Sequence, residues 1–77
     1  KTMEQKEINE YILKLIEDEK KELARSKTYE YMFTLEEIEP KTMGKEKALE
    51  NLAVWQKHIV SIEGRIKGYK EYIKNHE

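Results

Sequence analysis

The sequence contains no cysteine, and this absence excludes disulfide bridges and thiolate metal sites. It has only two histidines, His58 and His76, whose separation does not fit the i,i+4 pair of a helical metal site. Three glycines and one proline are few breaks for 77 residues, so long helices are favoured over a sheet of short strands. We therefore expect neither a metal nor a cofactor.

Long apolar stretches and an excess of one charge are also missing. No stretch approaches the roughly 20 apolar residues of a membrane-spanning helix, and no secretion signal is recognisable. The net charge is −1, which gives no overall field for nucleic acid or an anionic membrane. Ser26 and Ser61 are the only serines, and neither stands in a nucleophile motif. The expectation is a cytoplasmic protein that is not an enzyme.

A regular hydrophobic repeat occupies residues 45–76. Its members recur at alternating spacings of four and three, the a/d pattern of a coiled-coil helix that packs along a neighbouring helix. They are Ala48, Leu52, Trp55, Ile59, Ile62, Ile66, Tyr69, Ile73 and His76. At 1.5 Å per residue the stretch forms a rod of roughly 45–50 Å, and its apolar seam requires a partner helix.

The first part of the chain predicts a second helix, from about residue 3 to residue 38. Thr2 and Gln5 have the spacing of a capping box at its start. Residues 25–35 allow two interpretations, a helix with a kink or break near 25–28 and a strand. The helical spacing joins Ala24, Thr28, Tyr31, Leu35 and Ile38, whereas Tyr29, Tyr31, Phe33 and Leu35 alternate as in a strand. We prefer the helix, because no second strand is available for pairing.

Pro40 ends the first helix, because a proline keeps the preceding residue out of the helical conformation. Residues 39–44 then form the turn, with Thr42 as the candidate N-cap of the second helix. A connection this short implies antiparallel neighbours. The chain is therefore predicted to be a single all-α domain of residues 1–77, an antiparallel helical hairpin in which facing residue numbers add to about 82.

The predicted pairing leaves the middle of the hairpin open. Ile59 and Ile62 would face the charged residues 19–22, with only Leu23 to cover them. Near the turn, both arms carry more apolar residues than one helix pair can bury. We therefore predict self-association of the turn-proximal half, most simply as a homodimer that forms a helical bundle. The predicted interface consists of Tyr29, Tyr31, Met32, Phe33, Leu49, Leu52, Trp55, Ile59 and Ile62.

These features predict a small non-enzymatic protein-protein interaction module that acts as a homo-oligomer. Small helical chains of this kind occur among the inhibitors and regulators that phages and mobile elements encode, and this general analogy suggests such a role. The alternative is a protein that binds or sequesters an anionic nucleotide, or a nucleic-acid-binding hairpin, because the second arm interleaves basic and aromatic residues. The possible anion contacts are Arg65, Lys67, Lys70, Tyr72 and Lys74. Salt-sensitive ligand binding would distinguish this alternative from the interaction module.

Overall fold

The computed structural model describes residues 2–77 as two long helices joined by a short turn. Helix α1 covers Gln5–Ile38 and helix α2 covers Lys45–Asn75. The two helices lie side by side in opposite directions, so that Gln5 contacts Tyr72 at one end and Glu37 contacts Lys45 at the other. The molecule is a rod of 55 × 17 × 16 Å. The predicted all-α helical hairpin is confirmed.

Helix α1 continues through residues 25–28 without a break. It contains neither proline nor glycine, and the hydroxyls of Thr28 and Thr34 donate hydrogen bonds to the helix carbonyls of Ala24 and Glu30. The threonine hydroxyls are thus bonded within the helix, and the segment contains no residue that breaks it. The break considered near residues 25–28 is absent, and the strand interpretation of this segment is wrong.

Neither predicted helix cap forms. Helix α1 begins at Gln5, so Glu4 rather than Thr2 is its N-cap residue, and no side chain caps it. The Gln5 amide donates to Asn9, 2.8 Å away. Gly44 occupies the N-cap of α2 with φ +80°, which a glycine adopts without strain. Thr42 lies too early in the turn to cap α2 and hydrogen-bonds to Glu36.

The apolar repeat of α2 forms the seam against α1, as predicted. Ala48, Ile59, Ile62 and Ile66 are buried, and the members at Leu52, Trp55, Tyr69 and Ile73 are half-buried. In the half of the rod far from the turn, α1 meets this seam with apolar side chains. The cluster there comprises Ile12, Ile16, Leu23, Ile62, Ile66, Tyr69 and Ile73. It is the hydrophobic core of the hairpin.

The middle of the hairpin is closed, contrary to the prediction that Ile59 and Ile62 need a second chain. Their side chains are only 7% and 0% exposed within one molecule. Glu19 and Glu22 do not lie over these isoleucines, because their carboxylates pair with α2 at the edge of the seam. Arg65 donates to Glu19 at 3.0 Å, and the His58 Nε2 lies 3.3 Å from Glu22. These pairs keep the predicted register, in which facing numbers add to about 82.

Near the turn, α1 presents to α2 a face that is polar except for Phe33. Ser26 is fully buried, and Glu30, Phe33 and Glu37 are half-buried at the following seam positions. The core-facing residues of α1 in the far half, Ile12, Ile16 and Leu23, follow a spacing of three and four residues. The four positions near the turn continue the same spacing. Because α1 is one continuous helix, its packing in the far half fixes the face that it presents near the turn. The predicted register places Leu35 opposite Ala48 on the seam, but the Leu35 side chain is instead 49% exposed.

Candidate interaction surface

An apolar stripe follows the outside of α1, on the side away from α2. We call it the outer stripe, and it consists of Ala24, Thr28, Tyr31, Leu35 and Ile38. Tyr31 is 64% exposed, Leu35 49% and Ile38 69%. The spacing of four and three places these side chains in a row on one face of a helix. Contiguous exposed apolar side chains on a small protein are typical of an interaction site.

The turn beside the outer stripe is held by one carboxylate. Glu36 accepts hydrogen bonds from the backbone N–H groups of Lys41 at 3.1 Å, Thr42 at 3.2 Å and Met43 at 3.5 Å. The Thr42 hydroxyl donates to the same carboxylate at 3.0 Å. The hydrogen bonds from Lys41 and Thr42 favour the charged form, so the pKa of Glu36 lies below the ordinary glutamate value. The turn therefore has a defined shape.

A cleft of about 360 Å³ opens between the end of α1 and the turn. Its apolar lining comes from Met32, Phe33, Leu35, Ile38 and Met43. Leu35 and Ile38 belong to both the cleft and the outer stripe, so the two features form one continuous surface. A concave apolar site of this kind accepts a protruding apolar side chain of a partner.

Two of the predicted interface residues contact each other inside the hairpin. The rings of Tyr29 and Trp55 stack with centroids 4.8 Å apart, and His58 packs edge-on against Trp55 at 5.7 Å. The Arg25 guanidinium lies over the outer face of the Tyr29 ring at 5.7 Å. This aromatic cluster joins α1 to α2 along one edge of the seam. Trp55 therefore stabilises the hairpin itself.

The predicted interface divides into exposed and enclosed members. Tyr31, Met32 and Leu49 are well exposed and Tyr29 is at the limit of exposure, whereas Phe33, Leu52 and Trp55 are half-buried. Ile59 and Ile62 are enclosed in the hairpin. Two exposed members of the surface, Leu35 and Ile38, were not predicted as interface residues. Their helical spacing with Tyr31 is visible in the sequence, but the spacing alone does not reveal which partner the stripe faces.

Three of the possible anion contacts share one groove. Lys67, Lys70 and Lys74 line a groove of about 470 Å³ with Leu23 and Ile66. A neighbouring groove brings Lys20 to Lys70 and Lys74. The acidic residues that line the two grooves are Glu17, Glu63, Glu71 and Glu77. The grooves thus hold as many carboxylates as lysines, an arrangement that does not concentrate positive charge.

The two remaining anion candidates lie elsewhere. Arg65 is engaged with Glu19 at 3.0 Å and with the Ser61 hydroxyl at 3.1 Å. Tyr72 stacks on His76 with ring centroids 4.0 Å apart and accepts a hydrogen bond from Gln5. The five predicted contacts therefore do not converge on one anion.

No protein-family model, curated protein or solved structure matches this chain. Neither α1 nor α2 has the length and hydropathy that crossing a membrane requires. Among residues 2–77, no three histidine, aspartate or glutamate side chains gather in a group that could hold a metal ion. The outer stripe and its cleft form the candidate interaction surface of the described residues.

Proposed function

We propose that this chain is a non-enzymatic helical protein-protein interaction module that binds a protein partner through the outer stripe and the adjoining cleft. The observation that carries the proposal is the exposure of Tyr31, Leu35 and Ile38 in a row on one helix face. Burying such side chains on association is favourable by about 25 cal/mol per Å² of apolar area. A partner helix is the best match to a stripe with coiled-coil spacing.

The position of the surface on the rod supports the same proposal. The hydrophobic core lies in the half far from the turn, and Glu36 fixes the turn, so the surface is held on a formed scaffold. Binding then costs little conformational ordering. Tyrosine and methionine, present here as Tyr31 and Met32, are enriched at protein interfaces. A small chain that acts by covering a surface of another protein fits the role of an inhibitor or regulator.

An affinity-capture experiment with matched variants tests the proposal. A tagged chain is incubated with an extract of the cells in which the protein is made, and captured proteins are identified by mass spectrometry. Leu35→Glu and Ile38→Glu should remove the specific partner, because each places a charge in the apolar stripe. The control Lys14→Glu changes an exposed residue of α1 in the far half of the rod and should retain it. Equal capture by all three variants would contradict the proposed surface.

A further inference from the structure

We infer that the outer stripe binds a second copy of the chain, with the two α1 helices antiparallel around a twofold axis. This inference rests on the proposed function, because it names the occupant of the same surface. A twofold interface uses one patch twice, so the patch must be complementary to itself when reversed. The outer stripe meets this requirement in side-chain size and in charge.

The side chains of the stripe are small at its start and large from Tyr31 onward. Ala24 and Thr28 are small and lie at its start, whereas Leu35 and Ile38 are large and lie at its end. An antiparallel pair centred between Thr28 and Tyr31 places Leu35 of each copy opposite Ala24 of the other. Tyr31 likewise comes opposite Thr28, so a large residue faces a small one at both levels, which is how packed helix pairs fill their interface. A parallel pair would instead place Leu35 against Leu35 and leave a gap at Ala24.

The charges that flank the stripe reverse their sign from one end to the other. Lys21 lies before it, and Glu39 directly follows its last residue. In the antiparallel pair, Lys21 comes opposite Glu39 of the second copy. The twofold axis repeats this contact, which gives two attractive pairs at the rim. A parallel pair would bring like charges together, and like charges oppose association.

The extent of the stripe sets the expected strength of the dimer. Residues 24–38 cover about 21 Å of helix at 1.5 Å per residue. One helix pair of this length buries less surface than a large obligate interface does. We therefore expect a dimer that dissociates on dilution rather than a permanent one.

Charge reversal tests the antiparallel register in solution. Sedimentation equilibrium should show a shift from dimer to monomer on dilution. Lys21→Glu and Glu39→Lys should each weaken the dimer by roughly threefold or more, because each variant creates two repulsive contacts. The double variant Lys21→Glu, Glu39→Lys should restore the dimer, since it exchanges the two charges of every pair. Circular dichroism should show the same helix content in all variants. A double variant as weak as the singles would overturn the register.

Cysteine cross-linking tests the direction of the pair, and the chain has no cysteine that would interfere. Ala24→Cys and Leu35→Cys are prepared separately and then mixed under mild oxidation. The antiparallel pair predicts rapid cross-linking between the two different variants and little within either one. Rapid cross-linking of Leu35→Cys with itself would overturn the inference. A chain that stays monomeric at all concentrations would also overturn it, while partner capture through Leu35 and Ile38 would still support the proposed function.

Discussion

At the scale of single residues, Ser26 is in the least favourable environment of the seam. Its side chain is fully buried, and among residues 2–77 its hydroxyl is the buried side-chain group without a hydrogen-bond partner. It occupies the seam between Leu23 and Glu30, where α1 changes from apolar to polar packing. An unpaired buried hydroxyl costs about 1–3 kcal/mol. The hairpin therefore gives up stability at this position.

Ser26→Ala should raise the free energy of unfolding by about 1 kcal/mol, because it removes the unpaired hydroxyl and leaves almost no cavity. The measurement is urea denaturation followed by circular dichroism. Lys27→Ala is the control, because Lys27 is a neighbouring exposed residue of α1 whose replacement by alanine also raises helix propensity. The explanation fails if Ser26→Ala stabilises the chain no more than Lys27→Ala does.

Glu36 determines how the turn responds to pH. The pKa of Glu36 is lower in the folded chain than in the unfolded chain. Its charged form therefore stabilises the fold fully at a pH above the pKa that Glu36 has in the unfolded chain. That stabilisation is lost as the pH falls through the lower folded-state value. Glu36→Gln should therefore lower the melting temperature at neutral pH, and the difference from the unmodified chain should vanish in acid. The control Glu50→Gln makes the same change at an exposed glutamate of α2 and should leave the melting temperature nearly unchanged at neutral pH.

At the scale of elements, the two helices differ in how well their sequences reveal their packing. Helix α2 meets α1 with an unbroken apolar repeat, so its seam could be predicted from Ala48 to Ile73. The last predicted member, His76, is instead the exposed C-cap residue of α2. After Leu23, the seam positions of α1 are occupied by polar residues such as Ser26 and Glu30. Beginning at Ala24, many of the apolar residues of α1 lie instead on its exposed face. An apolar pattern is interpreted as a core-facing one, and for this reason the prediction assigned Leu35 to the seam. Only the continuity of α1 decides between the two faces.

The candidate surface was predicted in part for the same reason. The sequence indicates an excess of apolar residues near the turn, and Tyr31 and Met32 are exposed there. The sequence also led to the wrong prediction of an open middle of the hairpin, because the pairing register places glutamates of α1 opposite isoleucines of α2. A glutamate side chain is long enough to place its carboxylate at the edge while its methylene groups cover apolar neighbours. The pairing of Glu19 with Arg65 depends on the side-chain conformations of both residues, which composition and spacing do not determine.

At the scale of the whole molecule, the rod has one end that stabilises the fold and one end that displays apolar surface. Ile62 is fully buried in the hydrophobic core and Ile38 is exposed beside the turn, so the same substitution should have opposite consequences at the two positions. Ile62→Ala should lower the free energy of unfolding by about 2–5 kcal/mol, which is much of the stability of a small domain. Ile38→Ala should leave the stability of the dilute monomer nearly unchanged, because its side chain is already 69% exposed.

Self-association should show the opposite order. Ile38→Ala should weaken it, since Ile38 contributes apolar area to the proposed interface. Denaturation of both variants at low concentration, followed by sedimentation at high concentration, measures the two effects separately. A large loss of monomer stability in Ile38→Ala would show that the outer stripe belongs to the fold rather than to an interface.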